Sequence, residues 1–254
     1  MAASIDLNAD VGESLGAWRI GEDERLIPLV SSVNIACGFH AGDPVVIART
    51  VALAATAGVA IGAHPGYPDL VGFGRRDIDM GADEITASVT YQVGAVAAFA
   101  RAAGSPLRHV KPHGALYNRA ARDGSVARAV AAGVLAAGRD LILVGLAGSA
   151  LLDAGREAGL AVAAEAFADR AYEPDGNLRS RRFGDSLLAD PAAAARQAVR
   201  IARDRTVETI DGSTLAVDAA TICVHGDEPG AAERAAAVRA AIEAAGIVVA
   251  ALRR

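Results

Sequence analysis

The sequence has almost no lysine. Of its 25 basic residues, Lys111 alone is lysine and the other 24 are arginine. Arginine therefore supplies the general positive charge. A solitary lysine is either a chance survivor on the surface or the mark of a place where a compact amine serves and a planar, permanently charged guanidinium does not. Cysteine is also scarce: Cys37 and Cys223 make neither a disulfide framework nor a zinc-finger spacing. There is no excess of basic charge. A net charge of -5 and a pI near 5.6 argue against a nucleic-acid binder, which carries a basic patch. No run of like charge suggests a tail or a membrane-binding arm. No uninterrupted apolar stretch is long enough for a bilayer, and the opening residues lack the basic and apolar regions of a leader. The expectation is a soluble, reduced, cytoplasmic protein. A G-x-x-x-x-G-K-[ST] loop and a G-x-G-x-x-G turn after a strand are both missing, so no standard nucleotide site is read.

What is present is an alternation of short apolar runs and Ala-rich amphipathic segments over 254 residues. Expected strands are Ser4–Leu7, Ser32–Ala36, Val59–Ala63, Arg108–Lys111, Leu141–Val144, Ala161–Glu165, Thr221–Val224 and Ile247–Leu252. Asp43-Pro44 reads as an N-cap and first helical residue, opening a helix to Ala57 that Gly58 closes. Asp83 is read as the cap of a helix to Ala103. Further helices are expected over Ser125–Ala137, Ser149–Ala158, Pro191–Arg203 and Pro229–Ala245. Thr206–Val217 reads as a hairpin turning at Asp211-Gly212. Strand–helix repeats imply parallel strands with helical crossovers. No linker or composition shift divides the chain. The reading is one α/β domain over 1–254, a TIM-like (β/α) barrel of irregular form, with an open doubly wound sheet as the alternative.

Unusual polar residues fall just after the expected strands, where parallel α/β folds gather their active sites. They include Asn8, Asp10 and Glu13 after the first; Asn34, Cys37 and His40 after the second; and His64, Arg75 and Arg76 after the third. Lys111, His113 and Asn118 follow the fourth, Glu165, Asp169 and Arg170 the sixth, and His225 and Asp227 the seventh. Asp6, Asn8 and Asp10 have period two, so on a strand they share one face, inside the barrel. There they form a structural polar network or a site. Glu13 reads equally as a loop acid. His109 begins its strand and reads as structural. His109 and His113 stand about 13 Å apart on an extended chain, too far to share an ion. A metal set of Asp10, His40 and His64 is geometrically open but has no local motif. Cys37, three residues before His40, is either a nucleophile or a small buried residue; Cys223 reads as core.

The segments Asp6–Glu13, Asn34–Pro44, Gly62–Asp69, Gly72–Arg76, Val110–Asn118, Glu165–Arg170 and Val224–Asp227 together resemble the LamB/YcsF family, the A subunits of 5-oxoprolinase. The resemblance runs in order through almost the whole chain. It implies an irregular (β/α) barrel of the glycoside hydrolase/deacetylase type. It also implies ATP-dependent opening of 5-oxoproline to glutamate with subunits B and C, ATP being a co-substrate of the complex and a divalent metal an open question. On that implication Asp10, His40 or His64 is the general base and His113 the acid. Lys111 stabilises developing negative charge, and Arg75, Arg76 or Arg170 binds the substrate carboxylate. Asn8, Glu13 and Asp169 join these as substrate-binding candidates. Two other readings stay open: a stand-alone metal-dependent deacetylase or amidohydrolase, and a non-catalytic protein that binds a small acid within the complex.

Overall fold

The computed structural model describes residues 4–253. Ten strands form: β1 Ser4–Val11, β2 Ser32–Ala36, β3 Ala60–His64, β4 Leu107–Val110, β5 Ile142–Leu146, β6 Ala161–Phe167, β7 Thr206–Glu208, β8 Thr214–Ala216, β9 Thr221–Val224 and β10 Val248–Val249. Strands β1 to β6 and β9 run parallel, each bonded to the next, and β9 returns to β1. The sheet is therefore a closed seven-stranded parallel barrel, and the doubly wound alternative is overturned by the β1–β9 ladder. The expected eighth strand is corrected too. Only Val248 and Val249 pair, with Ser4 and Ile5 at the start of β1. From Asp6 onward β9 takes that side of β1 and leaves no edge for the last segment to enter.

The helices are α1 Asp23–Leu26, α2 Pro44–Ala57, α3 Ala82–Ala102, α4 Gly114–Arg122, α5 Gly124–Ala137, α6 Ala150–Glu157, α7 Pro191–Val199 and α8 Ala231–Ala244. Their ends follow local chemistry. The Asp43 side chain accepts from the Val45 and Val46 amides, Pro44 occupies the first turn, and Gly58 ends α2 at φ +68°. α3 begins earlier than expected. The Glu84 carboxylate reaches back to the Gly81 amide at 2.7 Å, so Gly81, not Asp83, is the N-cap. The helix expected to Arg203 changes at Arg200 into a wider π turn that ends at Asp204. β7 and β8 form the expected antiparallel hairpin, with Gly212 at φ +80°. Helices α1 and α4 were not anticipated; α4 follows Gly114 at φ +53°, directly after the Lys-Pro-His segment. Among the described residues no helix is long and apolar enough to cross a membrane.

Apolar side chains of β1, including Ile5, Leu7 and Val11, join the core outside the barrel wall. The alternate residues Asp6, Asn8 and Asp10 point inward and make that side of the barrel interior polar, while Ile142, Val144 and Ala163 of β5 and β6 form a separate buried apolar cluster.

Candidate functional site

The deepest layer of the interior is a closed hydrogen-bond network. The hydroxyls of Ser31, Ser32 and Thr221 donate to the Asp6 carboxylate, and burial pushes that carboxyl's pKa up. Asn8 donates to Thr221 at 2.7 Å and to Glu165 Oε1 at 2.9 Å. Asn34 donates to Asn8 Oδ1 at 2.7 Å and to Asp10 Oδ1 at 2.8 Å, and its own Oδ1 accepts from His109 Nε2 at 2.9 Å. Position 62 must be glycine for that bond to form. A Cβ there would lie 2.1 Å from His109 Nε2. His109 is structural, as expected, and burial lowers its pKa to about 3.

Above this layer lies Lys111, 2% exposed. Its ammonium sits 2.9 Å from Glu165 Oε1, 3.0 Å from Asp10 Oδ1 and 3.0 Å from Cys223 Sγ. It also stands over the Phe167 ring, 5.2 Å from its centre. Burial disfavours the charge, but Asp10, Cys223 and Glu165 outweigh it and hold the pKa well above the ordinary lysine range. Asp10 responds in kind. Burial raises its pKa, His64 and Lys111 pull it down further, and the carboxylate stays ionised. Lys111 is therefore a fixed buried point charge. The Tyr117 hydroxyl donates to Glu165 Oε2 at 2.8 Å, so α4 braces the carboxylate that braces the lysine.

Three histidines pack beside the lysine. His64 Nδ1 donates to the Lys111 carbonyl at 2.7 Å, and His113 Nε2 donates to the Phe73 carbonyl at 2.8 Å. Carbonyl oxygens only accept, so these two nitrogens carry protons. The remaining nitrogens, His64 Nε2 and His113 Nδ1, face each other at 3.0 Å. Asp10 Oδ2 lies 3.3 Å from His64 Nε2, and Glu13 Oε1 lies 3.7 Å from His113 Nδ1. His40 stacks flat on His113, ring centres 3.7 Å apart. Burial lowers the pKa of both His40 and His113 well below the usual histidine range. Glu13 lies in the loop after β1 but is only 3% exposed; burial, then Asp227 and Asp10, push its carboxyl well up. Donor atoms of Glu13, His40, His64 and His113 all lie within 4.8 Å of one another, a spacing at which a divalent ion could be held.

Asp10, Glu13, His64, Lys111 and His113 open into a cavity of about 460 Å³ at the carboxyl ends of the strands. Its far wall is arginine-rich, with Arg75, Arg170 and Arg181 among its residues. Arg75 pairs with Asp227, whose other oxygen is 3.8 Å from Arg181. Arg170 is 5% exposed and donates to the Ser186 and Arg179 carbonyls, at 3.2 and 2.6 Å. Burial and the charges of Arg181 and Arg75 lower its pKa to about 10.

Sequence reasoning and geometry differ at several residues. Arg76 turns away from the cavity and pairs with Asp69. Asn8 lies beneath the cavity in the closed network. Asp169 accepts from the His225 amide and from His225 Nδ1, both at 2.9 Å, and so positions His225 without lining the cavity. His40 sits behind His113 and off the cavity lining. Asp10, expected in the metal set, spends Oδ1 on Lys111 and Asn34; among the described residues the converging donor group holds Glu13 and His113 with His40 and His64. Cys37 is core. Its thiol donates to the Ile35 carbonyl and burial pushes its pKa up, which leaves no nucleophile there. Tyr117 and Arg181 were missed as site residues, and Glu165, placed at a strand end by the sequence, was given no role. Glu165 carried a signal, an acid on an otherwise apolar strand.

The sequence profile of the LamB/YcsF family matches residues 5–254. A 5-oxoprolinase A subunit of Chloroflexus aggregans is 63% identical over 97% of this chain and 98% of its own. A 5-oxoprolinase A subunit of Agrobacterium fabrum is 56% identical over 97% of each. The crystal structure of a lactam utilization protein from Thermus thermophilus superposes with a TM-score of 0.93 at 51% identity, covering 98% of this chain and all of that one. An Enterococcus faecalis protein with a suggested role in cellobiose-phosphate cleavage, 12% identical with a TM-score of 0.57, shares the fold alone; it covers 98% of this chain and 97% of its own.

Proposed function

This chain belongs to the LamB/YcsF family, and from that premise and its site we propose that it acts as the A subunit of a 5-oxoprolinase. It opens 5-oxo-L-proline hydrolytically to L-glutamate, with ATP as co-substrate, in a complex with subunits B and C. The observation that carries this reading is the charged Lys111 wedged between Asp10 and Glu165 at the floor of the cavity.

A lactam is a resonance-stabilised amide. Its hydrolysis needs a cation where negative charge develops on the carbonyl oxygen, a group to take the proton of water, and a proton for the departing nitrogen. Lys111 supplies the first. The Asp10, His64 and His113 group supplies the proton traffic. Arg170, held by carbonyls rather than by a carboxylate, keeps its charge for an acid. With Arg75 it takes the substrate carboxylate. The sequence contains no P-loop, so ATP-driven activation of the lactam is assigned to the partners.

Glutamate release from 5-oxoproline and ATP tests this, with the chain alone, candidate B and C subunits alone, and all three mixed. Turnover only in the full mixture is expected. Turnover of acyl-amide substrates by the chain alone would instead favour an independent amidohydrolase, the reading to which the donor cluster would lend itself. Assembled-complex activity that ignores alanine at Asp10, His64 or Lys111 would reduce the chain to a binding role.

A further inference from the structure

We propose that His64 Nε2, His113 Nδ1 and Glu13 Oε1 hold a divalent transition-metal ion, with His40 as the fourth protein ligand. The first reason is tautomeric. The Lys111 and Phe73 carbonyls fix protons on the outer nitrogens of His64 and His113. With both rings neutral, their remaining lone pairs aim at each other across 3.0 Å, an arrangement that a shared metal cation makes favourable. This is the outer-partner pattern that orients ligating histidines, each with its far N–H on a carbonyl.

The second reason is His40. It is 1% exposed, and neither of its ring nitrogens has a hydrogen-bond partner. An orphaned buried imidazole is costly unless something binds it. Its Nε2 lies 3.8 Å from Glu13 Oε1. The ring lies parallel to His113, 2° apart, so it must turn to direct its lone pair at the shared point, and no hydrogen bond opposes that turn.

The third reason is spacing. Bonds of about 2.0–2.1 Å in a tetrahedral site put ligand atoms about 3.4 Å apart. The separations here are 3.0 Å for His64–His113, 3.7 Å for His113–Glu13 and 3.8 Å for Glu13–His40. The nitrogen-rich donors suit zinc, cobalt or nickel rather than magnesium or calcium. With the ion in place His64 and His113 are ligands, and of the proton-carrying group proposed above Asp10 alone stays unligated, its Oδ2 3.3 Å from His64 Nε2. The site stands on its own donor geometry and does not depend on the lactam reading.

The test uses the full chain, stripped with chelator and dialysed against Zn²⁺ alone, with bound zinc measured per chain and melting followed with and without the ion. About one zinc per chain and a higher melting temperature are expected. Glu13→Gln and His113→Asn should each weaken binding by at least the ~10–100-fold that loss of an outer partner costs. If His113→Asn fails to fold, His40→Gln, which breaks no hydrogen bond, serves in its place. Loading wild-type chain with Co²⁺ should give the visible spectrum of a low-coordinate nitrogen–oxygen site. No retained zinc in a folded chain would overturn the proposal, as would zinc held equally well by the variants. Neither result depends on catalytic turnover, so failure of the metal site and failure of the lactam reading are separately visible.

Discussion

Lys111 Nζ and Glu165 Oε1 meet at 2.9 Å across the barrel, from the end of β4 to the middle of β6, both buried. Asp10 flanks the lysine from β1. A lone buried ammonium is strongly disfavoured, and so is a lone buried carboxylate. Each residue therefore makes the others tenable. Lys111→Met leaves two carboxylates facing each other and is expected to destabilise the fold by about 3–5 kcal/mol. Adding Glu165→Gln to Lys111→Met should restore part of that loss. Chemical denaturation of both single variants and the double variant measures the coupling. Strictly additive losses would mean that the pair does not interact.

Tyr117 reaches Glu165 from the helix that follows the Lys-Pro-His segment. Tyr117→Phe removes one donor from a buried carboxylate and should cost about 1.5–3 kcal/mol of stability. An unchanged denaturation midpoint would show that Glu165 finds another partner.

Gly62→Ala places a methyl group 2.1 Å from His109 Nε2. The ring must move and give up its bond to Asn34. A loss of about 1–3 kcal/mol is expected from overpacking. A thermal melt equal to wild type would be incompatible with so close an approach of the ring to the strand.

Asp169 gives a pH signature. Burial raises its pKa, but the Coulombic pull and hydrogen bonds of His225 outweigh that and bring it to about 2. A carboxyl depressed on folding contributes stability above its unfolded pKa of about 3.9 and loses it as pH falls through the folded value. The contribution, about 2.5 kcal/mol, should therefore disappear between about pH 4 and pH 2. Urea titrations across that window should show a shallower acid limb in Asp169→Asn than in wild type. Parallel limbs would remove Asp169 from the acid response.

The barrel was legible because its signals are local. Alternating apolar runs, the Asp43-Pro44 start and the Gly58 stop of α2 appear nearly where they were read. Which strand completes the closure was not. That β9 meets β1 at Asp6 and excludes the last strand is a matter of long-range register, which no short window of sequence carries. The site divides the same way. Strand-end position brought Asp10, His64, Lys111 and His113 to one cavity, as expected. Position alone could not tell Arg75, which lines the cavity, from Arg76, which turns outward to Asp69. Nor could it tell Glu13 from an exposed loop acid, because its burial depends on side chains brought by β2, β3 and the segment after β4.

The role of Lys111 in lactam opening rests on one comparison: glutamate release from 5-oxoproline and ATP by the assembled three-subunit complex, with wild-type chain and with Lys111→Met, folding of the variant being verified by circular dichroism. Turnover should fall at least about 10²–10³-fold, the scale on which loss of a charge-stabilising donor acts. Turnover within a few-fold of wild type would remove Lys111 from the chemistry, and with it the reason for placing lactam opening in this cavity.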